Sequence, residues 1–357
     1  MNNPLPPNST IGILGGGQLG RMLSVAASRL GLKTHIFEPG ENPPAGQVAD
    51  KVTTAAYDDH FALSAFAMSV DVITFEFENI PTQALDVLEA ISPVMPNRRA
   101  LGTSQDRVTE KEFLTSLGLQ CAPYTNVETA EDLIAAVEKI GTSSILKTRR
   151  FGYDGKGQSR LKSDTNPTSA WAELGNTPCV LEGFIDFTHE ISVIGARSQS
   201  GEVVCFDPGE NVHHDGILHT TTLPARMSKS QHMDAILATG KILNELDYVG
   251  VLGVEFFVTP QSLIINEIAP RVHNSGHWTQ NGCVIDQFEQ HIRAVAGWPL
   301  GDGKRHSNVT MKNLIGDAVN DVATLSKDAS VGLHLYGKAD AKAGRKMGHV
   351  NKITGPA

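Results

Sequence analysis

A glycine-rich basic stretch between Lys147 and Gln158 contains the residues best suited to bind phosphate. It reads K-T-R-R-F-G-Y-D-G-K-G-Q and follows a short apolar run, Ser144 to Leu146, that predicts a β-strand. Closely spaced glycines let the backbone approach an anion and present N–H groups to it, and lysine ammonium groups add positive charge. The stretch therefore predicts a phosphate-covering flap, although a basic hairpin turn without a ligand would have a similar composition.

A pair of acids lies on a predicted β-hairpin further along the chain. Its two apolar strands, Val251 to Val258 and Ser262 to Ile268, are joined by a short turn. If the strands pair from the residues that flank the turn, Glu255 and Glu267 are diagonal neighbours on one face, roughly 7–8 Å apart at the backbone. Two acids among apolar residues need a cation, and Mg²⁺ is usually held by one or two carboxylates together with phosphate oxygens. The hairpin predicts a Mg²⁺ site, with Mn²⁺ as the alternative ion and a solvated acid pair as the alternative without a metal.

The loop after this hairpin, Ala269 to Thr279, reads A-P-R-V-H-N-S-G-H-W-T and is dense in hydrogen-bonding groups. A loop of that composition directly after a strand usually carries chemistry. By contrast, the adjacent His213 and His214 point to opposite faces of a predicted strand, which argues against a shared metal role. We therefore expect reactive side chains in the loop rather than at the histidine pair.

A second glycine motif lies near the N-terminus. A predicted strand from Thr10 to Leu14 leads into Gly15-Gly16-Gly17-Gln18-Leu19-Gly20, which opens a helix from Arg21 to Leu30. The next predicted strand, Lys33 to Phe37, ends at Glu38, near the position of the ribose-binding acid in dinucleotide-binding folds. The motif leaves two interpretations open: an NAD(P)-dependent oxidoreductase, or a βαβ unit whose glycines serve only the tight turn.

Another predicted strand of the N-terminal part, Val72 to Phe77, has Glu76 and Glu78 at its carboxyl end. Open α/β sheets bind their ligands at the carboxyl ends of strands. Both acids are therefore candidates to bind a ligand, and exposed strand-end acids without a ligand are the alternative.

These motifs lie on elements of two kinds. The first third of the chain alternates strands and helices, whereas the strands after the flap, including His189 to Ala196 and Val203 to Phe206, have an antiparallel pattern. A connector from Pro93 to Leu101 separates the two parts. The 357 residues therefore predict an α/β protein of two or three domains.

The composition narrows the class of protein. Thirty Lys and Arg against 39 Asp and Glu give a formal net charge of -9, which argues against a general nucleic-acid binder. The four cysteines form no C-x-x-C pair, which argues against a disulfide framework or a structural zinc site. Since no apolar run has the length of a membrane span or an export signal, we expect a cytoplasmic protein without a membrane or nucleic-acid partner.

Three motifs together resemble the ATP-grasp superfamily and, within it, the N5-carboxyaminoimidazole ribonucleotide synthetase family. They are G-G-G-Q-L-G-R-M at Gly15 to Met22, F-G-Y-D-G-K-G-Q at Phe151 to Gln158 and N-E-I-A-P-R-V-H-N-S-G-H-W-T at Asn266 to Thr279. The resemblance extends from Ile11 to His349. Three separate matches in the expected order make it specific.

The resemblance implies an α/β ATP-grasp fold with an N-terminal Rossmann-like preATP-grasp domain and a small C-terminal β-rich domain. The implied domains are residues 1–106, residues 107–300 with a mobile lid at about 121–182, and residues 301–357. Family members usually continue with a helix after the strand at Gly348 and His349. The third domain is therefore predicted to be abbreviated or truncated.

The resemblance also implies an ATP site beneath the flap. The strand after Val180 is similar to the adenine-binding hinge of the family, where backbone groups bind the base and Glu190 accepts a hydrogen bond from the ribose. The implied ATP-binding residues are Arg107, Lys147, Gly152, Tyr153, Asp154, Gly155, Lys156, Gly157, Gln158, Glu182, Gly183, Phe184, Ile185, Glu190, His213, Asn266 and Glu267.

The same resemblance assigns the residues of the reaction. Glu255 and Glu267 match the Mg²⁺ ligands, and Ala269 stands where many relatives have an asparagine, which predicts fewer side-chain ligands. The residues implied to hold bicarbonate and the reactive intermediate are Tyr153, Lys156, Arg271, His273 and Asn274. The implied contacts to the ribonucleotide are Gln18, Leu19, Glu76, Arg271, His273, Asn274, Ser275, Lys338 and Arg345, of which Lys338 and Arg345 form a phosphate clamp.

The implied activity is carboxylation of 5-aminoimidazole ribonucleotide with ATP and bicarbonate, through carboxyphosphate, in de novo purine biosynthesis. The resemblance further implies a homodimer. A formate-dependent glycinamide ribonucleotide transformylase is the nearest alternative, but that family typically has an Asp-Thr-Gly-Met-like stretch where this chain has Asn274 to His277. More distant alternatives are an NAD-dependent oxidoreductase that uses Gly15 to Gly20 and a non-catalytic nucleotide sensor.

Overall fold

A computed structural model describes residues 4–152 and 155–357 of the chain. In these ranges the strands form three sheets. No helix of the described chain combines the length and the apolar character that crossing a membrane requires.

The N-terminal part is a parallel sheet in the order β3-β2-β1-β4 with flanking helices. Its elements are β1 (Thr10–Leu14), α1 (Gln18–Arg29), β2 (Lys33–Phe37), β3 (Lys51–Thr53), α2 (His60–Ala67), β4 (Val72–Phe75), α3 (Thr82–Glu89) and α4 (Arg98–Ser104), with a 3₁₀ turn at Pro44–Gln47. The predicted strands β1 and β2 are confirmed. Helix α1 begins three residues earlier than predicted, and β4 ends at Phe75, so that Glu76 lies just past the strand.

A small antiparallel sheet follows, in the order β5-β8-β6-β7. Its elements and the helix before it are α5 (Arg107–Ser116), β5 (Tyr124–Val127), α6 (Ala130–Ile140), β6 (Ser144–Thr148), β7 (Gln158–Leu161), α7 (Pro167–Glu173) and β8 (Cys179–Gly183). Leu133, Leu146 and Leu181 belong to a hydrophobic cluster within this unit. The glycine-rich stretch joins β6 to β7, as the flap prediction requires.

The third sheet is antiparallel and runs from the middle of the chain to its C-terminal part. The remaining elements are β9 (His189–Arg197), β10 (Val203–Cys205), β11 (Gly209–His214), β12 (Ile217–Thr222), α8 (Lys229–Glu245), β13 (Gly250–Val258), β14 (Leu263–Ala269), α9 (Thr279–Gly282), α10 (Gln287–Val295), β15 (Ser307–Ile315), α11 (Val322–Leu325), β16 (Val331–Leu335) and β17 (Lys346–Pro356), with 3₁₀ turns at Asn274–Gly276 and Gly316–Asp321. The strand order is β14-β13-β9-β11-β12-β15-β17-β16, and β10 pairs with β9. The pairing of β12 with β15 makes the C-terminal strands a continuation of the central sheet.

A buried histidine joins the first and third sheets. His291 on α10 accepts a hydrogen bond at Nδ1 from the Val251 backbone N–H, 3.0 Å away, so its proton is on Nε2, 2.8 Å from Thr74 Oγ1. Burial lowers the pKa of His291 to about 4 and keeps the ring neutral. The N-terminal sheet is thereby held at a fixed position relative to the carboxylate hairpin on β13 and β14.

Candidate active site

The predicted acid pair lies on β13 and β14, but its register differs from the prediction. Glu255 stands directly opposite Glu267, not diagonal to it, because the β13–β14 connection is one residue longer than assumed and a β-bulge follows Glu255. The prediction that both carboxylates share one face is confirmed. The direct pairing brings the two backbones closer together than the diagonal arrangement would.

The two carboxylates have different electrostatic surroundings. Arg107 Nη1 lies 2.9 Å from Glu267 Oε2, and although burial would raise the pKa of Glu267, Arg107 together with Lys147 and His273 lowers it. Burial and the neighbouring charge of Glu267 raise the pKa of Glu255 to about 7. A cation bound between the two would therefore favour ionisation of Glu255.

His273 faces this pair, and a hydrogen-bond chain fixes its tautomer. Its Nδ1 lies 2.8 Å from Ser275 Oγ, and Ser192 Oγ donates to Ser275 Oγ at 2.6 Å. Ser275 therefore donates its own proton to Nδ1, which leaves the ring proton on Nε2, 3.5 Å from Glu255 Oε1. Burial, with Arg271 nearby, lowers the pKa of His273 to about 3. His273 is thus a neutral ring that presents an N–H donor to the cleft.

Ser275, predicted as a substrate contact, has a buried side chain that belongs to this chain of hydrogen bonds. Asn274 lies beside it, and its Oδ1 is buried without a hydrogen-bond partner among the described residues. Asn266 Oδ1 on β14 is also buried without a hydrogen-bond partner among the described residues. Buried polar atoms without partners are rare in folded proteins, so both oxygens are candidates to contact a ligand.

Lys147 on β6 makes a short ion pair with the hinge strand. Its Nζ lies 3.0 Å from Glu182 Oε2, and Lys111 Nζ lies 3.1 Å from the other carboxylate oxygen. Burial would raise the pKa of Glu182, but Lys147 and Lys111 together lower it. Glu182 is therefore ionised between two lysines at the root of the flap.

The described part of the flap is held close to Thr148 and to the β11–β12 turn. Gly157 has a φ of +69°, and a Cβ at this position would lie 2.6 Å from Thr148 Oγ1. A Cβ at Gly155 would meet the backbone of Gly216 at 3.2 Å. These positions require glycine for both conformation and space. The predicted residues Tyr153 and Asp154 lie outside the described residues.

The remaining flap residues frame the opening beside Arg107. Gly152 lines a cavity of about 50 Å³ together with Arg107, Glu78 and Glu267. Lys156 follows on the exposed side, and Gln158 begins β7 opposite Lys147. The glycine-rich stretch and the carboxylate hairpin thus form two walls of one cleft.

The predicted hinge and ribose residues lie on β8 and β9 and in the segment between them. The Gly183 and Phe184 backbone N–H groups donate to Pro123 and Ser143, and the Phe184 ring is stacked under the Arg160 guanidinium at 4.3 Å, whereas Ile185 is half-buried. Glu190 on β9 contacts Nδ1 of His213 on β11. Burial would lower the pKa of His213, but Glu190 outweighs it and raises the pKa.

Arg271 joins the cleft to the N-terminal sheet. Its guanidinium forms a fork on the carboxylate of Glu78, which follows β4, and it also contacts the Val272 carbonyl. Burial would lower the pKa of Arg271, but Glu78, Glu267 and Glu76 raise it. The arginine therefore lies close to acids from two parts of the chain. One of these acids, Glu267, is the predicted metal ligand.

The N-terminal glycine turn holds protein carboxylates where a dinucleotide fold would hold a pyrophosphate. Glu76 accepts hydrogen bonds from the Gly17 and Gly20 N–H groups, and Glu38 Oε2 accepts one from Gly16 N at 2.7 Å. A Cβ at Gly17 would lie 2.5 Å from Glu76 Oε1, so the glycines allow this close approach. The geometry argues against the dinucleotide interpretation, since the N–H groups that would bind pyrophosphate already have partners.

Two predicted substrate residues follow in this turn. Gln18 begins α1 and is half-buried beside the Glu76 carboxylate site. The side chain of Leu19 is buried in the hydrophobic core, which leaves its backbone as the part that can face a ligand.

The predicted phosphate clamp lies between the C-terminal strands and the N-terminal part. Lys338 Nζ donates to the Lys346 carbonyl at 2.8 Å and lies 5.6 Å from the Tyr336 ring centroid, while Arg345 donates to the Asp340 carbonyl. The neighbouring Gly337 carbonyl accepts a hydrogen bond from Gln47 at 2.7 Å. The clamp is therefore placed next to the N-terminal part that carries Glu76.

Sequence reasoning missed two cations of the site, Lys111 and Lys346, and it did not foresee that Glu78, predicted as a strand-end acid at a ligand-binding edge, holds Arg271. The charge of Lys346 helps to lower the pKa of His273 and partly opposes the rise in the pKa of His213. Lys111 binds Glu182 beneath the cleft. The spacing of Lys111 four residues after Arg107 on one helix could have indicated that Lys111 faces the site. Lys346 gave no such signal, because it directly follows Arg345 in a C-terminal segment with several cations.

The acid pair fits a metal only if other ligands complete the shell. In the described ranges no group of three or more His, Cys, Asp or Glu side chains is arranged to hold a metal ion. Glu255 and Glu267 nevertheless supply two opposed carboxylates, one of them with a pKa raised by burial, beside the unpartnered Asn266 Oδ1. Such a set suits Mg²⁺, which keeps waters and shares phosphate oxygens with its substrate.

Three family models match the chain in sequence. A ribonucleotide synthetase preATP-grasp domain matches residues 8–105, an ATP-grasp domain matches residues 112–288, and a phosphoribosylaminoimidazole carboxylase C-terminal domain matches residues 309–355. The fold is therefore an α/β ATP-grasp fold with a preATP-grasp part before it and a small β-rich part after it, as the sequence predicts.

Individual relatives are similar over nearly the whole chain. The N5-carboxyaminoimidazole ribonucleotide synthase of Brucella melitensis is 54% identical over 352 residues, which cover 98% of this chain and 97% of the relative. A crystal structure of an N5-carboxyaminoimidazole ribonucleotide synthetase with ADP has a TM-score of 0.96 and 42% identity, and the match covers 99% of this chain and 94% of that one. An Aspergillus clavatus N5-carboxyaminoimidazole synthase in complex with ADP and 5-aminoimidazole ribonucleotide has a TM-score of 0.90 and 30% identity, with 98% and 94% covered.

Proposed function

The chain belongs to the N5-carboxyaminoimidazole ribonucleotide synthase family, and we propose that it uses ATP to carboxylate the exocyclic amine of 5-aminoimidazole ribonucleotide. It is an ATP-grasp ligase of purine biosynthesis that forms a C–N bond. The observation that carries this conclusion is the 54% identity with a synthase of this family over nearly the full length of both chains. The site geometry supports it, since phosphate-binding and carboxylate groups line one cleft.

In the first step, a bicarbonate oxygen attacks the γ-phosphorus of ATP. The bond from this phosphorus to the β,γ-bridging oxygen breaks, and carboxyphosphate and ADP form. Phosphoryl transfer needs in-line positioning and neutralisation of charge more than covalent catalysis. Lys147 at the root of the flap, which pairs with Glu182 in this structure, and Arg271, which forms a fork on Glu78, would supply positive charge to the transferring group.

Glu255 and Glu267 would hold Mg²⁺, with Asn266 beside them. The ion would neutralise negative charge on the phosphates of ATP and help to align them. Arg107 binds Glu267 from the protein side and keeps this carboxylate ionised for the ion.

In the second step, the exocyclic amine attacks the carbonyl carbon of carboxyphosphate. The bond between this carbon and the oxygen that bridges it to phosphorus breaks. The phosphate leaves with the bonding electrons and accepts the proton that the amine loses. The neutral His273 presents its Nε2–H to this region, and Asn274 lies next to it. Because the His273 donor is uncharged, it can orient a carboxylate oxygen of carboxyphosphate without binding this labile intermediate strongly.

Carboxyphosphate hydrolyses in water, so the site must exclude solvent during the transfer. The glycine-rich flap between β6 and β7 is proposed to do this, because its residue Gly152 lines the cleft beside Arg107 and Glu267. Lys156 in the flap, and Tyr153 by family resemblance, are proposed to reach past ATP toward bicarbonate.

The ribonucleotide is proposed to lie between the N-terminal turn and the C-terminal clamp. Glu76 and Gln18 would meet the aminoimidazole end, and Lys338 with Arg345 the phosphate. We expect Lys338→Ala to raise the KM for 5-aminoimidazole ribonucleotide by about tenfold or more, the size of one charge-assisted contact. Steady-state kinetics with each substrate varied in turn measure this, with the exposed Lys304→Ala as the control. An increase confined to the KM for ATP would show that the clamp is misplaced.

A substrate panel tests the function itself. ADP and phosphate release should be fastest when bicarbonate and 5-aminoimidazole ribonucleotide are both present. Turnover of ATP with formate and glycinamide ribonucleotide, and none with the first pair, would replace the proposal by a transformylase. The homodimer implied by the resemblance stays a prediction, and light scattering coupled to size-exclusion chromatography measures it.

A further inference from the structure

Helix α5 presents three charged residues to the floor of the cleft. Arg107, Glu110 and Lys111 are three and four residues apart, so they share one face of the helix. Arg107 binds Glu267, and Glu110 accepts a hydrogen bond from the Ile268 backbone N–H on the same strand. Lys111 points to the other wall of the cleft, where it meets Glu182 on β8. One helix therefore contacts both the metal-binding hairpin and the nucleotide hinge.

Lys111 is among the most deeply buried cations of the described chain. Its side chain is 1% exposed, compared with 4% for Glu182 and 11% for Lys147. The contact at 3.1 Å is an ion pair without the alignment of a good hydrogen bond, which points to charge neutralisation and not to directional bonding. Lys147, on the more open side, binds the second oxygen at 3.0 Å with good geometry.

Lys147 has two binding partners at different stages, the Glu182 carboxylate and the proposed phosphate. In this structure it neutralises Glu182, and in the proposed reaction it binds phosphate oxygens. If Lys147 were the sole cation beside Glu182, its turn toward a phosphate would leave a buried carboxylate without a counter-charge, which is strongly unfavourable. Lys111 touches the opposite oxygen and is too buried to leave, so it can keep Glu182 neutralised during this change.

We propose that Lys111 is a positioning residue for the nucleotide, which neutralises Glu182 from below and thereby frees Lys147 to bind the phosphates. It acts through Glu182 and Lys147 without touching the nucleotide. The inference rests on the proposed function, because it takes Lys147 as a phosphate ligand.

The first test is Lys111→Met, which keeps the length of the side chain and removes its charge. With Lys147 then required by Glu182, the Kd for ADP in the presence of Mg²⁺ should rise by about tenfold or more, the size of one charge-assisted contact. The KM for ATP should rise with it, while the KM for 5-aminoimidazole ribonucleotide stays unchanged. Isothermal titration calorimetry measures the Kd, and Lys241→Met is the matched control. Lys241 also contacts α5, at the Leu117 carbonyl, but it is exposed and has no link to Glu182.

A double variant separates this role from a merely structural one. Lys111→Met with Glu182→Gln removes both charges of the pair, so Lys147 no longer has a buried carboxylate to neutralise. Since the hinge is proposed to bind the base through backbone groups, Glu182→Gln leaves that contact in place. We therefore expect the double variant to bind ADP more tightly than Lys111→Met alone, within about threefold of the wild-type protein, as coupled sites predict. The same comparison with wild type serves if Lys111→Met fails to fold, because neutral replacement of both partners of a buried ion pair is often tolerated.

The outcomes distinguish this inference from the proposed function. Unchanged ADP affinity in folded Lys111→Met, or a double variant that binds ADP as weakly as a folded Lys111→Met, would overturn the role of Lys111 and leave the carboxylase activity standing. If Lys111→Met does not fold, a double variant that binds ADP about tenfold more weakly than wild type would overturn it. A wild-type protein that binds no ADP would overturn both.

Discussion

Glu267→Gln is expected to lower kcat by about a hundredfold to a thousandfold, the range found when one group that stabilises a transition state is removed. Glutamine keeps the size of the side chain and can still accept a hydrogen bond from Arg107, which lies 2.9 Å away in the native protein. It cannot supply the negative charge that a divalent cation requires. The fold should therefore remain while the proposed metal site is lost.

Initial rates at saturating substrates and thermal unfolding measure the two effects together. Glu89→Gln is the matched control, since Glu89 is also paired with an arginine, Arg98, but lies on α3 outside the cleft. It should leave kcat unchanged. Near-native activity of Glu267→Gln at any Mg²⁺ concentration would refute the metal role of this carboxylate.

Arg271→Lys is expected to lower kcat by about a hundredfold although it keeps the positive charge. The guanidinium of Arg271 is held by a fork on Glu78 and a contact to the Val272 carbonyl, and an ammonium group cannot reproduce that arrangement. Its charge would then lie at a different place relative to the transferring phosphoryl group. Because ADP lacks this group, its affinity should change by less than about threefold.

Stopped-assay kinetics and ADP titration on the same preparation separate these effects. Arg226→Lys is a suitable control, since Arg226 also forms a fork on a carboxylate, that of Glu210, but at an exposed position. An Arg271→Lys variant with native kcat would show that only the charge matters. A variant that loses ADP affinity in proportion to kcat would place Arg271 at the nucleotide and not at the transferring group.

The sequence predicted much of the architecture because its strongest signals are local. Strands β1 and β2 have the predicted bounds, since each ends in apolar residues directly before a glycine or an acidic break. The βαβ start and the later antiparallel strands were also recognisable from their different periodicities. The prediction that Glu255 and Glu267 share one face came from an assumed pairing across the turn, and it holds because the longer connection and the β-bulge together shift the register by two residues.

The register of that hairpin was not predictable in the same way. A β-bulge after Glu255 and a longer connection shift the pairing, and neither leaves a mark in the apolar pattern, because valine, phenylalanine and isoleucine occupy both faces. Without the bulge, the observed connection would pair Glu255 with Asn266 and turn Glu267 to the other face, so the bulge is what brings the two acids to one face. A glycine or a proline at the bulge would have been a signal, but Asn266 is neither.

Contacts between distant segments were the other gap. Glu76 accepts hydrogen bonds from N–H groups of a glycine turn 56 to 59 residues earlier in the chain. These groups are therefore not available to a dinucleotide, although the motif resembles a dinucleotide site. The fork of Glu78 on Arg271 joins residues 193 positions apart. Such pairings depend on how the sheets pack, which sequence periodicity does not encode.

The origin of the oxygen atoms in the released phosphate tests the account most directly. With ¹⁸O-labelled bicarbonate, ATP and 5-aminoimidazole ribonucleotide, attack of a bicarbonate oxygen on the γ-phosphorus transfers one labelled oxygen to each phosphate. Mass spectrometry of the phosphate should find that label, in step with formation of the N5-carboxylated ribonucleotide. Phosphate without the label, released while the ribonucleotide stays unchanged, would contradict the proposed carboxylation.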